Sequence, residues 1–182
     1  MILVLVCAGA AHADDLSAVP PHVAPFVGQD DFETGVHAVM GAFGPAKDTT
    51  VVVTYSIRGA GSFKGFALVP DAKAKHGQRQ LPLPKLPVGS TSGDMKTALV
   101  ANLDKDADDE LVIQLQVQKS VSNPNGGYSY SAYEYIVLDW DGKKFVRLAG
   151  LEKKLDLKAQ GSSGAELTEE QVRAVLGVAK KH

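Results

Sequence analysis

A β-rich α+β fold is predicted by three features of the chain. Leu111, Ile113, Leu115 and Val117 alternate with Val112, Gln114, Gln116 and Gln118, the period-two pattern of a strand with one face on a core and a glutamine-rich face in water. Val51–Ile57 is a β-branched run of strand length. Thr168-Glu169-Glu170-Gln171 has the spacing of a capping box and opens an apolar stripe of Val172, Val175, Leu176 and Ala179, which predicts a helix over 169–180. The expected arrangement is an antiparallel meander and a second hairpin, with a short N-terminal helix and a C-terminal helix packed on the sheet.

In chain order, residues 14–29 carry Pro20, Pro21 and Pro25 and read as an irregular lead-in. Asp30 or Asp31 is placed to cap a short helix, because Phe32, Val36, Val39, Met40 and Phe43 fall on one helical face and Gly44-Pro45 ends it. The Val51–Ile57 strand turns at Arg58–Ser62 and returns over Phe63–Val69. Gly59-Ala60-Gly61 reads as that turn and not as a nucleotide-binding loop, since no helix follows it. Residues 71–94 form a connector holding the basic Lys73, Lys75, His76 and Arg79. Its Leu81–Pro87 segment is forced extended by alternate prolines, as a surface crossing or a proline-rich recognition motif. A strand over Thr97–Asn102, the alternating strand, a loop tipped by Asn125-Gly126, a strand over Tyr128–Asp139, an Asp141-Gly142 turn and a return over Phe145–Leu148 complete the meander. Gly161-Ser162-Ser163-Gly164 breaks the chain before the last helix.

The 182 residues suit one β-rich domain over 30–182, and 45% apolar with 22% charged residues is a globular composition. A formal charge of -2, from 19 basic and 21 acidic residues, gives no broad attraction to nucleic acid or anionic membrane. Ile2–Ala11 is almost wholly apolar and leads into Ala11-His12-Ala13, the pattern of a signal peptide over residues 1–13, so export to the periplasm or outside the cell is expected. The segment lacks a basic start and is short, which fits a true start upstream; a buried N-terminal strand is the alternative. It is too short to be a transmembrane segment, and nothing later is long and apolar enough. The single cysteine, Cys7, lies inside it in a poor lipoprotein context; cleavage after Ala13 would leave no thiol, so stability must come from the core or a metal.

The acidic turn Asn102–Glu110 carries the chemistry. Asn102, Asp104, Asp106 and Glu110 occupy positions 1, 3, 5 and 9, and the carbonyl of Asp108 is available at position 7. A tight turn with that spacing brings alternate oxygens to a common centre, where a hard cation takes about 6–8 of them. Without a cation the carboxylates repel one another. The register is not that of an EF-hand: counted from Asp104, position 6 is Asp109 and position 12 is Leu115. The other reading of these residues is a solvated acidic turn without metal.

The turn, in its strand-loop-strand setting, resembles the FG-GAP repeat of integrin-alpha-like propellers, whose loop runs D-x-D/N-x-D-G-x-x-D/E-L. Asn102, Asp104, Asp106, Glu110 and Leu111 match it, and Trp140-Asp141-Gly142-Lys143-Lys144-Phe145 resembles a hairpin common beside such loops. The likeness covers roughly 97–148, about one repeat. Asn102 stands where aspartate is usual, and Ala107 where glycine supplies a positive φ. No second copy is visible, and the chain is too short for a propeller of at least four blades. The resemblance implies Ca2+ held for structural reasons, often in adhesion or carbohydrate-facing proteins. The extracellular class of site binds with a Kd of about 10⁻⁴–10⁻³ M.

Beyond the expected signal peptide, His22, His37, His76 and His182 show no metal-ligand spacing, and no nucleophile elbow, phosphate loop or HExxH occurs. Tyr128 and Tyr130 share one strand face and Tyr133 and Tyr135 the other, a surface for a partner or an instance of cross-strand aromatic packing. The expected function is a non-enzymatic exported module, stabilised by calcium, that binds a protein or a glycan. The rival is a secreted hydrolase whose site, built on His37 or His76 beside a carboxylate, assembles only in the fold.

Overall fold

The computed structural model describes residues 19–28, 35–56, 62–86, 91–104, 106, 108–124, 126–161 and 166–178. The expected signal peptide, Cys7, the glycine turn at 59–61, Lys105, Ala107, Asn125 and the Lys180–His182 end lie outside them.

Two antiparallel sheets of four strands each form the body, both simple meanders. The first is β1 (Val36–Gly41), β2 (Thr49–Ser56), β3 (Ser62–Pro70) and β4 (Gln78–Pro82); the second is β5 (Thr91–Ala101), β6 (Glu110–Asn123), β7 (Gly126–Trp140) and β8 (Phe145–Arg147). Two helices follow, α1 (Ala149–Gly161) and α2 (Glu169–Leu176). The α+β class and its mainly antiparallel sheet are as the sequence predicts.

Over its described part, from residue 35 on, the helix expected around residues 32–43 is replaced by β1; the expected cap at Asp30 or Asp31 and its start at Phe32 lie outside the described residues. Its apolar spacing misleads because both faces of this strand are covered. Val39 points into the core between the sheets, whereas Ala38 joins Val52, Leu68, Val23 and Val27 on the outer face. A strand buried on both sides shows no alternation. The lead-in that covers this outer face is irregular, with one 3-10 turn at Ala24–Phe26. The connector at 71–94 supplies two strands. β4 lies at the edge of its sheet, where the missing N–H of Pro82 costs no ladder bond.

Between the sheets, Val39, Val51, Val53, Tyr55 and Phe63 meet Leu111, Ile113, Leu115, Ile136, Leu138 and Phe145. The other face of the second sheet is covered by the helices: Val112, Tyr135 and Val137 pack on Leu155, Ala159, Leu167 and Val172. This corrects the wet glutamine face expected on β6. Gln114 is buried, and its Oε1 accepts the Tyr135 hydroxyl at 3.0 Å, while that hydroxyl accepts the Leu167 amide at 3.0 Å. A buried amide is tolerated because a partner meets it.

α1 arises where the sequence pattern assigned no element. It docks beside β7 through carboxylates. Glu152 Oε1 accepts the Val137 amide at 3.1 Å and Asp156 Oδ1 accepts the Tyr135 amide at 3.2 Å. Residues four apart on a helix thus meet amides two apart on a strand. Arg147 closes the arrangement by pairing with Glu152 at 2.7 Å. α2 carries the expected capping box, with Thr168 Oγ1 accepting the Gln171 amide at 3.3 Å and Gln171 Oε1 accepting the Thr168 amide at 2.8 Å. It is shorter than the expected 169–180, because Gly177 turns left-handed at φ 74° and ends it.

Candidate metal centre

The acidic turn joins β5 to β6 at one end of the second sheet. Ala101 pairs with Glu110 across it, and Leu111 pairs with Leu138 of β7. One further step in that register sets Glu110 opposite Asp139, both on the helix-facing side of the sheet. Asp139, distant in sequence, is thereby added to the residues that sequence reasoning selected.

Each carboxylate is oriented by a backbone amide. Asp104 Oδ1 accepts from the Asp106 amide at 3.1 Å, and Asp106 Oδ1 from the Asp108 amide at 3.0 Å. Asp108 Oδ2 accepts from Gly44 at 3.0 Å. Glu110 Oε2 accepts the Leu103 amide in a short contact, and the neighbouring Trp140 amide favours the charged form of Asp139. Repeated side chain to backbone bonds of this kind fold a turn without help from a ladder. Asn102 closes it, its Nδ2 donating to the carbonyls of Asp106 at 2.6 Å and Asp108 at 2.9 Å. Thus Asn102 and the Asp108 carbonyl, both expected as ligands, bond to each other here, while Asp108 presents its carboxylate instead.

The turn is also fastened to the first sheet. The Asp109 amide donates to the Ala42 carbonyl at 3.0 Å, next to the Gly44–Asp108 bond. Gly44 has φ 75°, and a Cβ there would lie 2.9 Å from Trp140 Cγ. Glycine is required for both the backbone and the close approach of the indole.

Carboxylate oxygens of Asp104, Asp106 and Glu110 lie within 4.8 Å of one another, as do those of Asp106, Asp108 and Asp139. Asp104 and Asp106 are exposed and Asp108 half-buried, but Glu110 is 0% and Asp139 8% exposed. Among the described residues, Glu110 Oε1 and Asp139 Oδ1 have no hydrogen-bond partner. Buried carboxylate oxygens without partners carry a full desolvation cost. Burial is the main cause that pushes Glu110 up to about 7, with Asp104, Asp139 and Asp106 adding repulsion against the Leu103 bond. Burial and neighbouring carboxylates also raise Asp108 and Asp139, each opposed by its backbone bond. Among the described residues the ion pairs lie elsewhere, including Lys96–Glu166, Lys119–Glu134 and Arg147–Glu152, and no cation is paired with this cluster.

The histidines are placed apart from these groups. His37 is buried between the sheets, its Nε2 3.0 Å from Thr97 Oγ1 and its Nδ1 unpartnered; burial pushes it down to about 4, so the ring is neutral. His76 is exposed, edge-on to Phe26 at 5.6 Å. Tyr135 and Tyr133 belong to the helix-covered core, whereas Tyr128 and Tyr130 are exposed and lie 6.0 Å apart. No helix among the described residues is long and apolar enough to cross a membrane. No protein-family model, no curated protein and no solved structure matches the chain.

Proposed function

We propose that the protein is an exported, non-enzymatic binding module whose acidic turn is completed by calcium. The observation that carries this reading is Glu110: fully buried, with Oε1 unpartnered beside the carboxylates of Asp104 and Asp106. A buried anion facing other anions is costly, and a hard divalent cation with oxygen ligands removes the cost. Calcium suits the donor set because it accepts carboxylates in irregular geometry, where magnesium demands a near-octahedral shell. The FG-GAP resemblance and the apolar leader point the same way, toward a structural ion in an exported protein.

The partner surface in this reading is the far end of the β6–β7 hairpin. Pairing of β6 with β7 continues to Asn123 and Gly126, whereas β5 leaves β6 at Val117. The hairpin therefore continues as a two-stranded arm carrying Tyr128 and Tyr130. A cavity of about 390 Å³ opens at its base, lined by Lys119, Tyr130, Tyr133, Asp156 and Gln160 among others. Exposed aromatic rings beside hydrogen-bonding side chains suit a protein or glycan partner. The hydrolase alternative gains no support from His37, whose ring bonds a threonine hydroxyl and, among the described residues, no carboxylate.

The test is thermal unfolding of the purified chain in chelator and in millimolar calcium. Calcium should raise the melting temperature, and Asp104→Ala should abolish the part of the rise that comes from the ion held by Asp104, Asp106 and Glu110. An unchanged melt at millimolar calcium rejects the site.

A further inference from the structure

The acidic cluster contains more charge than one ion neutralises, and its geometry divides in two. Oxygens bound to one calcium at about 2.3–2.6 Å can be no more than about 5 Å apart. The carboxylates of Asp104, Asp106 and Glu110 meet that limit together, and so do those of Asp106, Asp108 and Asp139. Only Asp106 belongs to both groups. One divalent ion offsets two of the five carboxylate charges, whereas two ions offset four. Each group also holds its own buried, unpartnered oxygen: Glu110 Oε1 in the first and Asp139 Oδ1 in the second. Asp139 is only 8% exposed, and no described lysine or arginine pairs with it. The second group is thus an independent demand for positive charge, on the side of the turn that is bonded to Gly44.

We infer that the turn binds two calcium ions bridged by Asp106, the second held by Asp106, Asp108 and Asp139. This rests on the calcium reading above and adds a site that the loop spacing does not contain. A shared carboxylate holds two such ions about 4 Å apart. The second ion joins three parts of the chain: the turn, the end of β7, and, through the Gly44–Asp108 bond, the segment after β1.

Stoichiometry decides it. Native mass spectrometry and calorimetric titration of the intact chain with calcium should give two ions per chain. Asp139→Asn, which keeps the side-chain shape, should give one, as should Asp108→Asn; Asp106→Asn should weaken both sites by at least tenfold. Circular dichroism in chelator checks that each variant folds, and the pair of single-site variants guards against one failing to do so. One ion in the wild-type chain, or two ions retained in both Asp139→Asn and Asp108→Asn, overturns the second site and leaves the loop calcium standing. No ion in the wild-type chain overturns both.

Discussion

Replacing Glu110 with glutamine should stabilise the metal-free protein while reducing its response to calcium. The carboxylate is fully buried, and its pKa rises from 4.5 to about 7. A raised carboxylate pKa means that the folded state holds the proton more tightly than the unfolded chain. Metal-free stability is therefore highest below pH 4.5, declines as pH rises through the folded value of about 7, and stays low above it. The full cost of ionising Glu110 at pH 8 is about 3 kcal/mol. Glutamine keeps an oxygen for the Leu103 amide but makes a weaker, neutral bond, which reduces the expected gain to about 2 kcal/mol. For a chain of this size that is a rise of about 4–8 °C in melting temperature. The assay is thermal unfolding by circular dichroism at pH 8, in EDTA and in about 5 mM calcium, several-fold or more above the Kd of the weak extracellular class of site. A Glu110→Gln chain that melts lower than wild type in EDTA, or that keeps the full calcium shift, refutes the reasoning.

Two further outcomes follow from other buried groups. His37 has its pKa lowered from 6.5 to about 4, so the stability it contributes is complete above pH 6.5 and is lost as pH falls through about 4, a change of about 3 kcal/mol. Because the slope from Glu110 runs the opposite way, urea midpoints should be compared in the Glu110→Gln background; a His37→Leu chain with an undiminished acid slope refutes the assignment. Glu152→Ala should cost about 3 kcal/mol in urea unfolding, since it strands the Val137 amide and Arg147 together, and Glu152→Gln should cost clearly less; equal losses would show that the charge, not the amide, dominates.

How much of this was legible in the sequence depended on whether the signal was local. The β6 core face, the Asp141-Gly142 turn and the Thr168 capping box each rest on neighbours in the chain, and each stands in the fold. Val36, Val39 and Met40 misled because helix and doubly buried strand can share a spacing. α1 escaped notice because only Leu151, Leu155 and Ala159 face the sheet, separated by charged residues whose purpose is tertiary. Gln114 looked solvated because its partner, Tyr135, lies on another strand. The turn from Asn102 to Glu110 was visible as a run of oxygens, but Asp139 was not: nothing near Trp140 distinguishes it, and only strand register brings it opposite Glu110.

The carboxylates of α1 have a consequence for how molecules of this protein meet. β8 is only three residues long, so the outer margin of β7 at Tyr135 and Val137 would otherwise be bare. A bare margin of that kind recruits strands from other copies and seeds fibre growth. Glu152 and Asp156 take up the amides of Val137 and Tyr135 with side chains that offer nothing for a next strand to copy. The helix is thus a terminator, and a chain cut before Ala149 would carry a sticky, self-propagating rim.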